Sequence, residues 1–209
     1  MKHVVKQGEC MASIGALYGF HWKTLWDLAD NATLKAKRKN PYVLFAGDEV
    51  TIPDKRVKQE AKPTNGKYRF VRKGVPEKLR LKLLDANRQP RANLDYLLVI
   101  DGKSSRGKTD SQGELAEAIA PGAKDGKIVL GADQQEVIGL QLGQLDPASE
   151  VSGVQGRLAN LGFYKGPIDG NLDAATSSAI RIFQAMQGLP VTGAADDATG
   201  AQLEKLHGH

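Results

Sequence analysis

The sequence is poor in the residues that most often carry chemistry. Its 209 residues include one cysteine, four histidines, two tryptophans and only 6% aromatics. A single thiol, Cys10, excludes an internal disulfide, and it reads either as a small buried hydrophobe or as a turn residue. The histidines His3, His21, His207 and His209 stand near the two ends, the last two at a C-terminus expected to fray. No His/Asp group has the spacing of a zinc peptidase, and Cys10 has no evident partner base, so no catalytic residue, metal or cofactor is expected. Apolar runs are also short: none approaches the roughly 20 residues that a membrane-crossing helix needs.

What is present is the composition of a globular protein, 41% hydrophobic and 25% charged. The length exceeds what one small core needs, so two or three domains are expected. Charge is uneven: eleven Lys and Arg face seven Asp and Glu over residues 1–62, fourteen face eleven over 63–147, and four face six over 148–209. A basic front half suits anionic polymers or simple solubility. No nucleic-acid motif accompanies it and aromatics do not alternate with the basic residues, so nucleic acid is not an expected partner. The densest basic run, Lys35-Ala36-Lys37-Arg38-Lys39, reads as a solvated helical face or as a contact for an acidic surface.

The N-terminal stretch lacks the uninterrupted apolar core of a signal peptide, because Lys6, Gln7, Gly8 and Glu9 break it. The expectation is a protein made in the cytoplasm without a signal peptide.

Residues 1–54 read as one small unit. His3-Val4-Val5-Lys6 alternates like a strand, Gly8 turns the chain, and Ile14, Leu17 and Tyr18 share a face of a helix stopped by Gly19. Trp22, Leu25, Trp26 and Ala29 supply a second helix; the two tryptophans could stack on sugars, but their spacing of four favours core packing. After a polar segment, Glu49 to Pro53 reads as a second strand free to pair antiparallel with the first. Residues 55–67, polar and broken by Pro63 and Gly66, read as a linker.

From residue 68 to 147 the period changes to two. Lys78 to Leu83, Asp95 to Ile100, Lys127 to Leu130 and Ile138 to Leu142 are separated by turn clusters at Asp85–Pro90, Asp101–Lys103, Asp110–Gly113 and Lys124–Gly126. Such spacing predicts an antiparallel β-sandwich. Asp101 and Asp110 read as turn formers, since too few oxygen ligands accompany them for calcium.

Residues 148–209 contain a repeat with an offset of 23: Gly170, Asp173, Ala175, Thr176 and Ile180 fall on Gly193, Asp196, Ala198, Thr199 and Leu203. Each copy is a glycine turn feeding a helix whose start suits an aspartate cap. Ala179, Ile182, Phe183 and Met186 recur at helical spacing before Gly188 and Pro190, and an earlier helix carries Val151, Val154, Leu158 and Leu161. Three helices in about 55 residues approach the lower size limit for independent folding.

Three resemblances attach to these patterns. Leu161-Gly162-Phe163-Tyr164, Gly166 to Gly170, Ala175-Thr176, Phe183-Gln184 and Gly188 to Gly193 resemble the helical peptidoglycan-binding domain, with Asp173-Ala174 standing where that family usually has Gly-Pro. The resemblance implies a groove for the peptide stem or glycan, with Asp169, Gly170, Thr176 and Gln184 as contacts and Phe163 and Tyr164 as walls. Val4 to Glu9, Ile14 to Gly19, Leu25-Trp26 and Leu44 to Pro53 resemble a LysM domain, which binds N-acetylglucosamine polymers. This implies a sugar groove between Gly8-Glu9-Cys10 and Tyr42-Val43-Leu44, the first turn and the basic insertion both departing from the family's pattern. Gly107 to Leu115 resembles a turn of immunoglobulin-like and carboxypeptidase-regulatory-like sandwiches.

The implied fold class is multidomain α+β: a βααβ LysM module, an antiparallel immunoglobulin-like β-sandwich and a three-helix peptidoglycan-binding domain. The implied function is non-catalytic binding of peptidoglycan, because wall-cutting enzymes attach such modules to a separate catalytic domain. The succession of modules is similar to accessory proteins of type VI secretion and phage-tail-like contractile systems. That likeness implies delivery to the periplasm or cell envelope, and a spike or effector protein as a further partner. The alternative left open is an adaptor of the same apparatus whose modules dock proteins instead of sugar.

Overall fold

The computed structural model describes residues 1–55, 61–69, 77–131 and 136–208, so part of the expected linker, residues 56–60, lies outside the described residues. The chain is mixed α+β, and its described residues form three separate hydrophobic clusters. No helix among the described residues is long and apolar enough to cross a membrane.

In the first unit, β1 (Lys2–Val4) pairs antiparallel with β2 (Glu49–Thr51), with His3 opposite Val50. Between them lie α1 (Met11–Tyr18), α2 (Trp22–Trp26), a 3-10 turn over Ala29–Asn31 and α3 (Ala32–Arg38). Gly19 closes α1 in the left-handed conformation, at φ 74°. Val5, Met11, Ile14, Leu25, Trp26, Leu34, Leu44, Val50 and Ile52 form the core. The expected inward face of α1 is corrected: Ile14 is buried, but Leu17 is exposed and Met11 takes the inner position. Trp26 is core; Trp22 is half-buried against it, stacked on His21 at 5.7 Å and tilted on Tyr42 at 5.5 Å.

Two buried polar groups tie this unit together. The Asn31 amide donates to Leu25 O and Thr51 O, both at 2.9 Å, and its oxygen accepts from Thr51 N at 2.7 Å. Arg38 grips Asp48 through Nε at 2.7 Å and Nη2 at 3.0 Å. The basic run is therefore not one solvated face. Its lysines are exposed, with Lys35 paired to Asp27 at 2.6 Å, whereas Arg38 turns inward before Lys39 closes α3 in the left-handed region.

The middle unit contains β3 (Glu77–Lys82), β4 (Asp95–Ile100), β5 (Lys103–Lys108), β6 (Glu114–Ile119), β7 (Asp125–Leu130) and β8 (Glu136–Gln141). Among the described residues all pairing is antiparallel: β3 with β6, and separately β5-β4-β7-β8. Leu79, Leu81 and Leu115 from the smaller sheet, with Leu83 just beyond β3, share a core with Tyr96, Leu98, Ile100, Ile128 and Leu130 from the larger. The Tyr96 hydroxyl bridges the sheets by donating to Glu117 at 2.7 Å; burial and that carboxylate push its pKa up to about 12. Asp85 and Asp110 each hold a turn by accepting from two backbone amides at 2.8 Å.

The third unit packs α4 (Val151–Asn160), α5 (Ala174–Gln187) and α6 (Asp197–His207) around Val154, Leu158, Tyr164, Ala179, Ile180, Phe183 and Leu203. The expected face of α5 is corrected here. Ile180 occupies the core, while Ile182 and Met186 are 54% and 57% exposed. The repeat survives in three dimensions: Ile180 and Leu203 are both fully buried, and Asp173 and Asp196 both cap helices.

The first unit rests on Asn31, since it satisfies three backbone groups at once. Asn31→Ala should cost about 2–3 kcal/mol, because buried backbone groups would lose their partners. Tryptophan fluorescence during denaturant unfolding would report it directly, both tryptophans, Trp22 and Trp26, lying in this unit.

Candidate functional site

The two glycine turns of the third unit are built in one way. In the first, Gln155 reaches from α4 so that its oxygen accepts from Asp169 N at 3.1 Å and Gly170 N at 2.8 Å. Its amide faces Asn171 O and Thr176 Oγ1, each at 3.0 Å. In the second, Gln184 reaches from α5, and its oxygen accepts from Thr192 N and Gly193 N, both at 2.9 Å. Its amide faces Thr192 Oγ1 and Thr199 Oγ1 at 2.9 Å. Gly170 and Gly193 have φ of 77° and 72°, a conformation that costs glycine little and other residues more. A Cβ on Gly193 would also lie 2.7 Å from Ser177 Oγ.

Each turn then feeds a capped helix. Asp173 accepts from Thr176 N at 2.7 Å and Asp196 accepts from Thr199 N at 2.8 Å. Both carboxyls are held below the usual range, Asp173 first by the Thr176 amide and Asp196 first by the Thr199 hydroxyl.

The turns differ on their outer surfaces. The first presents Asp169 between Ile168 and Leu172, which are 53% and 49% exposed. Asp169 accepts from Asn171 N at 3.0 Å, Asn171 Nδ2 at 2.9 Å and Gln155 Nε2 at 3.1 Å. Those bonds, the Asn171 amide foremost, lower its pKa and keep it ionised. An anchored carboxylate flanked by two apolar side chains can accept from an amine or amide while its neighbours cover methyl groups. The second turn carries Thr192 where the first carries Asp169.

The six residues first singled out in this unit divide accordingly. Asp169 and Gly170 lie at the surface. Thr176 and Gln184 are fully buried and act by holding turns. Tyr164 is buried, donating its hydroxyl to Pro167 O at 3.0 Å, so it braces the first turn from inside. Phe163 packs edge-on against Phe183 at 5.4 Å, and the Arg88 guanidinium of the middle unit lies 4.1 Å from its ring centre. Neither aromatic forms an open wall. Gln155 was missed, as were Ile168 and Leu172; a buried glutamine between Val154 and Leu158 was the available signal.

In the first unit, Gly8 turns the chain at φ 81°. Glu9 accepts from Lys6 N at 2.9 Å and meets His3 Nε2 at 2.7 Å. Burial of Glu9 opposes its ionisation, but those contacts outweigh it and lower its pKa. Tyr42 is exposed, Val43 and Leu44 are buried, and Leu44 belongs to the core. The Cys10 thiol points at Glu77 of the middle unit, with Sγ to Oε1 at 3.1 Å; burial and that carboxylate push it up to about 11. The structure brings Cys10 and Tyr42 near one another and near Glu77, whose charge acts on both.

Residues 147–203 match the family described as "putative peptidoglycan binding domain". The match spans α4, both turns, α5 and most of α6, which supports a peptidoglycan-binding helical domain at the C-terminus and peptidoglycan as a partner. Neither the curated proteins nor the solved structures compared with the chain gave a match.

Two outcomes follow for residues 147–209. Gln184→Leu should cost about 2–4 kcal/mol, since two amides lose their acceptor; denaturant unfolding followed by circular dichroism would measure it. The caps add an acid dependence. Because Asp173 and Asp196 are lowered from 3.8, their contribution is complete above that value and is lost as pH falls through the lower folded values. The melting temperature should therefore fall below about pH 4, and less steeply in an Asp173→Asn/Asp196→Asn variant, which keeps cap acceptors but removes the charge.

Proposed function

We propose that the chain is a non-catalytic cell-wall binding protein whose C-terminal unit takes the peptide stem of peptidoglycan at its first turn. The observation that carries this is the Gln155-anchored carboxylate of Asp169 between exposed Ile168 and Leu172, inside the segment that matches the family. Stem peptides present amines, amides and methyl groups, the chemistry such a surface accepts. The first unit, read as a LysM-like module, supplies a second weak glycan contact, and the middle unit, read as an immunoglobulin-like sandwich, spaces the two. Linked weak sites gain apparent affinity only when both engage at once. The place of action is the periplasm or cell envelope, in the service of a contractile injection or type VI secretion apparatus. Support for that setting is the likeness of the module succession to accessory proteins of such systems.

A second reading makes the chain a protein adaptor of that apparatus, docking a spike or effector protein. One observation favours it for the first unit: the Gly8–Cys10 loop already makes contact with protein, at Glu77.

The deciding measurement is retention on purified sacculi of the full chain and of residues 143–209, which keep the Asp146 anchor of α4. Both should be retained, and Asp169→Ala with Ile168→Ser should lower retention about tenfold or more, the equivalent of one lost charge-assisted hydrogen bond with its apolar neighbour. Equal retention of the variant would remove the stem site. Release of soluble fragments from the sacculi would remove the non-catalytic reading.

A further inference from the structure

The two outer strands of the larger sheet are finished differently. β5 carries Lys103, Arg106 and Lys108, all exposed, and such cations discourage a further strand from pairing there. The smaller sheet is guarded in the same way, by Lys78, Arg80 and Lys82 on β3 and by Glu114 and Glu117 on β6. β8, with the sequence Glu136-Val137-Ile138-Gly139-Leu140-Gln141, has its one charge at its first residue and contains no proline. Val137 is 59% exposed and Ile138 37%.

The pairing of β8 fixes which of its backbone groups are free. Leu142 N donates to Lys124 O at 2.7 Å, and Asp125 stands opposite Gln141. Bonded pairs alternate along an antiparallel ladder, so Leu140, Ile138 and Glu136 bond to β7. The N–H and C=O groups of Val137, Gly139 and Gln141 point the other way, where no described residue pairs with them. The first unit meets the chain at Gly143, past the end of the strand. At the centre of this free edge stands a glycine that the fold itself does not need: the φ of Gly139 is not positive, and a Cβ there would meet nothing within 4 Å. Glycine weakens the interior of a strand, and it often marks a place where another backbone comes close.

We propose that β8 is a dimerisation strand, pairing antiparallel with β8 of a second copy of this chain about a twofold axis at Gly139. A second copy is singled out because the strand is complementary to itself in that register. Val137 stands opposite Gln141 of the second copy and Gly139 opposite Gly139, so every outward backbone group finds a bonded partner. Ile138 stands opposite Leu140 of the second copy, on the face where Leu140 already packs against the core, so the two apolar rims cover one another. Glu136, paired with Arg91 at 2.7 Å, lies at the end of the strand and faces no like charge. Four strands from each copy then form one continuous sheet, and the dimer carries two helical units. The inference rests on the middle unit alone and stands whether or not the helical unit binds peptidoglycan.

Sedimentation velocity of the full chain, up to about 0.2 mM so that a dimer as weak as about 0.1 mM is populated, should show a dimer. Two charge variants test the register, Val137→Lys/Gly139→Lys and Val137→Glu/Gly139→Glu. Both positions are exposed, so circular dichroism should stay native. In either variant two like charges from each copy gather about the axis, which should weaken self-association at least about tenfold, whereas an equimolar mixture should restore a dimer at least as strong as the wild type. Re-pairing in the mixture would also show that each variant is folded. A wild type that stays monomeric overturns the proposal. A dimer indifferent to both variants places the interface elsewhere and overturns the assignment to β8. Variants that separate and do not re-pair on mixing overturn the twofold register.

Discussion

A glycine turn that folds back against a helix leaves backbone amides pointing into the protein, and those amides need acceptors that no helix or strand supplies. In the third unit two glutamines provide them. Gln155 and Gln184 each accept from consecutive amides with one oxygen and face a threonine hydroxyl with the nitrogen. Everything else in that unit follows from the turns being held there: the position of Asp169 at the surface, the start of each capped helix, and the meeting of Ile180 and Leu203 in one core.

This explains what could be read along the sequence. The offset of 23 captured the glycine, the aspartate cap and the threonine, because they lie within one turn and one helix start. It could not capture the glutamines. Gln155 sits far upstream of Gly170 while Gln184 is much nearer Gly193, since a longer loop separates α4 from its turn. The repeat is one of function in space, not of sequence position. Thr176 and Gln184, ligand contacts by resemblance, are buried and hydrogen-bonded within the turns. The misassigned face of α5 has a similar origin: Ile180 and Ile182 are both isoleucine, and only the partner helices decide which one turns inward.

Alternation made the larger sheet legible where strands were apolar and hid it where they were not. Lys103–Lys108 contains no large apolar residue and forms the edge strand beside β4, held by backbone pairing. Arg38 was hidden for the opposite reason. In a run of five residues with four cations, composition suggests solvent, yet only the three lysines face it. A guanidinium matched to two carboxylates can be buried where an ammonium would be solvated. Arg88 repeats the theme by lying over Phe163, an aromatic that sequence placed in a groove.

Asp146 has a consequence for where this protein can be divided. Its two carboxylate oxygens and its carbonyl are all engaged, one oxygen by Gln7 and the remaining two groups by α4. The helical unit thus begins, mechanically, several residues before its first helical turn. A chimera joined at Val151 would carry the helices but sever their anchor, whereas one joined ahead of Gly143 would transplant the unit with the whole 143–150 connector and its anchor intact. Spacing in that connector is as much a part of the architecture as the hydrophobic residues on either side.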